Sequence, residues 1–202
     1  MFFQLAALAI LVAFYGCYFG KMLRQKKQGI QTDQMGKGKH GKEKIIEVFL
    51  KIVTILVPVA EVTFRTEAAA GGIAAIRREF PQMLVGAGTV LTTEQASSAI
   101  EGGAQFGVSP GSNGKIIDRV LESGVAMIPG VATPTEIEAA MEKGLRVVKF
   151  FPAEALGGIA MLKALAGPYP QMKFVPTGGI SAGNMRDYLQ QKNVLAVGGS
   201  WM

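Results

Sequence analysis

From Glu61 onward the sequence predicts an α/β fold, a parallel array of strands alternating with helices. Three observations carry this. Seven short apolar runs recur, at Val62–Phe64, Met83–Gly86, Phe106–Val108, Ala126–Ile128, Val147–Phe150, Lys173–Val175 and Leu195–Val197. Helical stretches separate them, among them "TTEQASSAIEGG", "PTEIEAAMEKG" and "SAGNMRDYLQQK". Each opens on a residue suited to an N-cap or first turn, and the first two close at glycine, which accepts the backbone of a helix end. Several runs also end in small or polar residues: "GAGT", "SPG", "PGVATP", "PTGG" and "GGS". Strands and helices at this spacing argue parallel β/α units, and in a barrel of such units the loops after the strands build the active site.

Charge is divided unevenly along the chain. Its 202 residues carry a net charge of +6, and residues 1–60 hold 9 Lys/Arg against 3 Asp/Glu. The remaining residues hold 12 of each and are neutral. Such a distribution marks a basic appendage beside a globular domain. One cysteine, Cys17, and one histidine, His40, exclude an intrachain disulfide and a Cys/His zinc site. His40 sits in a Gly/Lys-rich tract, a poor setting for a triad imidazole, which needs rigid packing. Chemistry is left to carboxylates, lysines, hydroxyls and backbone groups.

Phe2 to Gly20 is a run of 19 residues without a charge, the length of a membrane-spanning helix. Lys21, Arg24, Lys26 and Lys27 follow at once, which places residue 21 onward in the cytoplasm. Residues 21–44 read as a basic linker able to lie along anionic headgroups. They have no aromatic interleaving and no recognisable module, so a nucleic-acid partner is not expected. Residues 45–60, "IIEVFLKIVTILVPVA", are apolar but interrupted by Glu47, Lys51 and Pro58, and read as an interfacial or packed helix. "AFYGCYFGKML", "QKKQGIQTDQMGKGK" and "ILVPVAEV" resemble the N-terminus of membrane proteins of the isoprenylcysteine carboxyl methyltransferase type, over about residues 1–62. These are not catalytic motifs, and the resemblance implies no methyl transfer. It does imply a chimera, with the junction at the shared "EV".

"LRVVKFFPAEALGG", residues 145–158, sets Lys149 within an apolar strand. Burial disfavours an ammonium, lowers its pKa and leaves a nucleophilic amine. Such an amine condenses with a ketone to an imine, an electron sink that needs no metal. The alternative is a lysine snorkelling its head out of the strand end. Periodicity alone leaves both open.

Across residues 61–202 the motifs "EVTFRTE", "VGAGTVL", "QFGVSPG", "MIPGVATPTE", "KFFPAEALGG", "AGPYPQMKFVPTGGIS" and "VLAVGGSWM" stand in order. Together they resemble the 2-keto-3-deoxy-6-phosphogluconate (KDPG) aldolase family, which includes 4-hydroxy-2-oxoglutarate (KHG) aldolases: class I enzymes with a (β/α)8 TIM barrel. The resemblance implies that Lys149 forms the imine and that Glu61 shuttles protons through a water. It implies that Arg65, Thr89 and Thr177 hold the substrate, chiefly its carboxylate. Gly178, Gly179, Gly198, Gly199 and Ser200 then form the phosphate cradle, and Pro110 and Phe151 shape the pocket wall. The implied reaction cleaves KDPG reversibly into pyruvate and glyceraldehyde 3-phosphate. Alternatives are KHG cleavage and an inactive membrane-anchored remnant. No cofactor or metal is implied; the partner is a small keto acid, and the implied assembly is a homotrimer. The match begins at the family's second strand, and the helices after the eighth strand lie past Met202. An incomplete (β/α)8 barrel of about seven strands is therefore expected. Nothing in the pattern of "IVTILVPVA" marks a replacement strand.

Overall fold

The computed structural model describes residues 59–199. The membrane helix expected at 2–20, the basic linker at 21–44 and all but the last two residues of the helix expected at 45–60 lie outside this range. Among the described residues no helix is long and apolar enough to cross a membrane.

Strands and helices alternate, and every strand pairing is parallel. The order is β1 (Val59–Thr63), α1 (Ala69–Glu79), β2 (Leu84–Gly88), α2 (Thr93–Glu101), β3 (Phe106–Val108), α3 (Gly114–Glu122) and β4 (Ala126–Ile128). There follow β5 (Gly130–Val131), α4 (Pro134–Glu142), β6 (Val147–Phe150), a 3-10 turn (Glu154–Leu156), α5 (Gly158–Ala166), β7 (Lys173–Pro176) and α6 (Met185–Leu189). One sheet runs β1-β2-β3-β4 and the next β5-β6-β7.

Two expectations need correction, and one strand was not foreseen. Val59 and Ala60, assigned to the tail of a helix, begin β1 instead. They pair with Leu84 and Val85 and are buried, so the ladder with β2 overrides the local pattern. The fourth apolar run, Ala126–Ile128, is β4 as expected, and after Pro129, which has no N–H to donate, a further short strand β5 follows that the sequence did not mark. The Pro129 carbonyl still accepts from Lys149 N at 2.8 Å, so the wall of the barrel continues across the break. Finally, Leu195–Val197 is not a ladder strand: the chain there makes isolated parallel bridges, Phe174↔Val194 and Thr177↔Gly198. Pro176 lies between those bridges and cannot donate, although its carbonyl accepts from Gly198 N at 2.9 Å.

The signals of α2 and α4 act as expected, whereas "SAGNMRDYLQQK" forms a helix only over Met185–Leu189, with no side-chain cap. Thr92 caps α2 by accepting from Gln95 N, and Thr133 and Glu136 form a reciprocal capping box at α4. Gly103 and Gly144 take positive φ just past α2 and α4, ending them in the left-handed region.

Alternation along the strands divides the side chains. On β6, Val148 and Phe150 are fully buried against the helices, whereas Val147 and Lys149, with Phe151 just beyond the strand, face the lumen. The helix-facing residues form two clusters. One centres on Ile73, Val85, Ile116 and Ile117, the other on Ile137, Val148, Phe150, Leu162 and Phe174, and Leu145 packs against both. Packing thus lies between sheet and helices, and the lumen is left for the site.

Candidate active site

The lumen is a cavity of about 510 Å³. Strand β1 and the residues after it contribute Val59, Glu61, Thr63 and Arg65, at every second position. Lys149 and Phe151 enter from β6, Val175 and Thr177 from β7, and Thr89 from the end of β2. Gly178, Gly179, Gly198 and Gly199 line the same space. Of the residues singled out in the sequence, the cavity therefore gathers Glu61, Arg65, Thr89, Lys149, Phe151, Thr177 and these four glycines. Ser200 lies outside the described residues. Pro110 does not line the cavity; its carbonyl instead packs against the Cα of Gly130, where any Cβ would overlap it. Gly130 pairs in parallel register with Lys149, so the space that the Pro110 carbonyl fills lies on the same face of the sheet as the lysine.

Burial lowers the pKa of Lys149. The Glu61 carboxylate opposes that shift, and the Arg65 guanidinium adds to it. Burial raises the pKa of Glu61, against the pull of Lys149 and then Arg65. Each group is thus driven toward its neutral form by desolvation and toward its charged form by the other. The Lys149 Nζ also lies 4.8 Å from the centre of the Phe151 ring, whose face favours a cation. Arg65 is exposed at the rim, where a bidentate fork can meet an incoming carboxylate.

Backbone conformation marks the rest of the site. Thr89 has φ 56°, the left-handed region, which a β-branched residue rarely adopts. Gly178 and Gly179 follow Thr177 with φ 96° and 80°, a left-handed turn that glycine adopts at no steric cost. Gly88 has a role that the sequence did not disclose: a Cβ there would overlap the Glu61 carboxylate. The strand-end glycine of "GAGT" was its sequence signal. Among the described residues no group of three His, Cys, Asp or Glu side chains is placed to hold a metal.

A buried amine beside a carboxylate, under a rim that can take a carboxylate and a glycine cradle that can take a phosphate, suits imine chemistry on a phosphorylated keto acid. Comparison with known proteins agrees. The family model for KDPG and KHG aldolases matches residues 39–202. The chain is 59% identical over 142 residues to the 2-dehydro-3-deoxy-phosphogluconate aldolase of Treponema pallidum (strain Nichols), covering 70% of this chain and 68% of that protein. It is 50% identical over 146 residues to the KHG/KDPG aldolase of Escherichia coli (strain K12), covering 72% and 68%. Its fold is similar to a KDPG aldolase from Legionella pneumophila solved with pyruvate captured as a covalent carbinolamine, with a TM-score of 0.72, 41% identity, and 79% and 77% of the two chains covered. The chain belongs to the KDPG and KHG aldolase family, a family of carbon–carbon lyases.

Proposed function

We propose that this chain is a class I aldolase that cleaves KDPG to pyruvate and glyceraldehyde 3-phosphate through an imine on Lys149. The observation that carries the reading is the pairing of Lys149 and Glu61 in one desolvated cavity, each shifted toward its neutral form. The neutral amine attacks the keto carbon, and the carbinolamine loses water to give the imine. The Glu61 carboxylate then takes the proton of the C4 hydroxyl as the C3–C4 bond breaks. The electron pair of that bond passes to the imine nitrogen as an enamine, and the aldehyde leaves. Protonation of the enamine carbon by Glu61 and hydrolysis release pyruvate and the free lysine. Arg65, Thr89 and Thr177 hold the carboxylate end, and the turn at Gly178 and Gly179, with Gly198 and Gly199, receives the phosphate. The Legionella enzyme's carbinolamine with pyruvate supports the same first step here.

Borohydride trapping tests this. The chain is incubated with pyruvate and reduced, and the modified peptide is read by mass. A pyruvyl adduct confined to Lys149, absent from Lys149→Ala, is the expected result. A folded chain that gives no adduct would be an inactive remnant. Turnover of KDPG against KHG, which lacks the phosphate, then measures what the glycine cradle contributes. On the sequence alone we further propose a membrane anchor at residues 2–20, joined there as a chimera; recovery of the chain in the soluble fraction after cell lysis would refute it. The homotrimer implied by the family is checked by the sedimented mass.

A further inference from the structure

The turn that follows the imine strand is tied to the phosphate-side turn by a residue with no role in the mechanism above. Ala153 N donates to Thr177 O at 2.8 Å and Glu154 N donates to Gly178 O at 3.1 Å. The Glu154 side chain then lies across Gly179, whose place admits no Cβ. Its carboxylate accepts a short hydrogen bond from the hydroxyl of Tyr188, on α6. Tyr188 is 1% exposed, and a buried phenol needs such a partner. Gly158 makes room for it, since a Cβ there would stand 2.7 Å from the Tyr188 hydroxyl. The start of α6 grips the same turn, for Asn184 Nδ2 donates to Gly179 O at 3.1 Å.

We infer that Glu154, held by Tyr188, is a positioning residue that sets the Thr177–Gly179 turn against the end of the Lys149 strand, fixing the distance between the phosphate cradle and the amine. This rests on the function proposed above. A phosphorylated keto acid spans both points, whereas pyruvate needs only the amine and the carboxylate groups. Loss of the tie therefore weakens binding of the long substrate and leaves the short one unaffected.

The test uses the full chain with Tyr188→Phe, Glu154→Ala and Glu154→Gln, measuring KM and kcat for KDPG, trapping of pyruvate on Lys149, and thermal unfolding. Tyr188→Phe and Glu154→Ala are expected to raise KM for KDPG about tenfold, the worth of one hydrogen bond to a charged group. Trapping of pyruvate stays at the wild-type rate in both. Glu154→Gln keeps a carbonyl acceptor without the charge and restores KM to within about threefold. An unchanged or lowered KM in Glu154→Ala would overturn the inference. So would a parallel fall in KDPG turnover and pyruvate trapping that tracks loss of folded protein. A wild-type chain that traps no pyruvate would instead remove the aldolase reading, and this inference with it.

Discussion

Glu61 and Lys149 sustain each other's charge inside the lumen: the carboxylate opposes the burial that strips Lys149 of its proton, and the ammonium opposes the burial that protonates Glu61. Removing one must move the other. In Glu61→Gln the lysine loses the carboxylate that raises its pKa, while burial and Arg65 continue to lower it. The free amine then persists to lower pH, so the pH profile of pyruvate trapping shifts to the acid side. Turnover of KDPG meanwhile falls about 10²- to 10⁴-fold if Glu61 is the general base proposed above. A trapping profile that stays in place would show that the two groups are not coupled.

The same shifts make the stability of the fold depend on pH. A lysine whose folded pKa lies below 10.5 binds fewer protons folded than unfolded across the interval up to that value, so stability rises with pH there. Its penalty is full below the folded pKa and vanishes above 10.5. Glu61 has the opposite dependence, with its penalty absent below 4.5 and full above its raised folded pKa. Lys149→Met made in a Glu61→Gln background leaves no buried charge unpaired. It is expected to be more stable than Glu61→Gln at neutral pH, with the gap closing as pH approaches 10.5. Urea midpoints at several pH values measure this, and a constant gap would assign the gain to packing.

Gly88 leaves the space in which the Glu61 carboxylate lies. In Gly88→Ala the new methyl overlaps the end of a flexible side chain rather than backbone, so Glu61 swings aside at little cost in stability. A displacement of about 1 Å is enough to lower kcat about 10²-fold. Glycine-to-alanine exchange also lowers the entropy of the unfolded chain, and the melting temperature is expected to hold or rise slightly. A variant with unchanged kcat would mean that the carboxylate works from elsewhere.

These effects differ in how far a sequence can disclose them. Lys149 was legible because a lysine in an apolar strand contradicts its surroundings, whereas Glu61 and Arg65 were named only through the family resemblance of "EVTFRTE". The helix ends at Gly103 and Gly144 were legible because capping is local. The start of β1 was not, since Val59 and Ala60 become strand through pairing with Leu84 and Val85, 25 residues away. Nor was the placement of Pro110, whose carbonyl fills the space over Gly130 and which does not line the cavity. The link from Glu154 to Tyr188 spans 34 residues and depends on where α6 packs. Contacts of this kind follow from topology, and no local pattern encodes them.

Thr89 joins strain to function at one residue. Its φ of 56° costs a β-branched side chain about 1–3 kcal/mol, and the residue faces the cavity. Thr89→Gly removes the strain but adds about 0.5–1 kcal/mol of unfolded-state entropy, so the net expectation is a gain on the order of 1 kcal/mol. If Thr89 holds the substrate carboxylate as proposed above, the same change deletes that hydroxyl and raises KM for KDPG about tenfold, the worth of one hydrogen bond to a charged group. Denaturant midpoint and KM should therefore move in opposite senses: a more stable chain that binds its substrate less well. If Thr89→Gly lost stability, the residue would be held by contacts worth more than its strain, and the backbone there would serve the fold before the substrate.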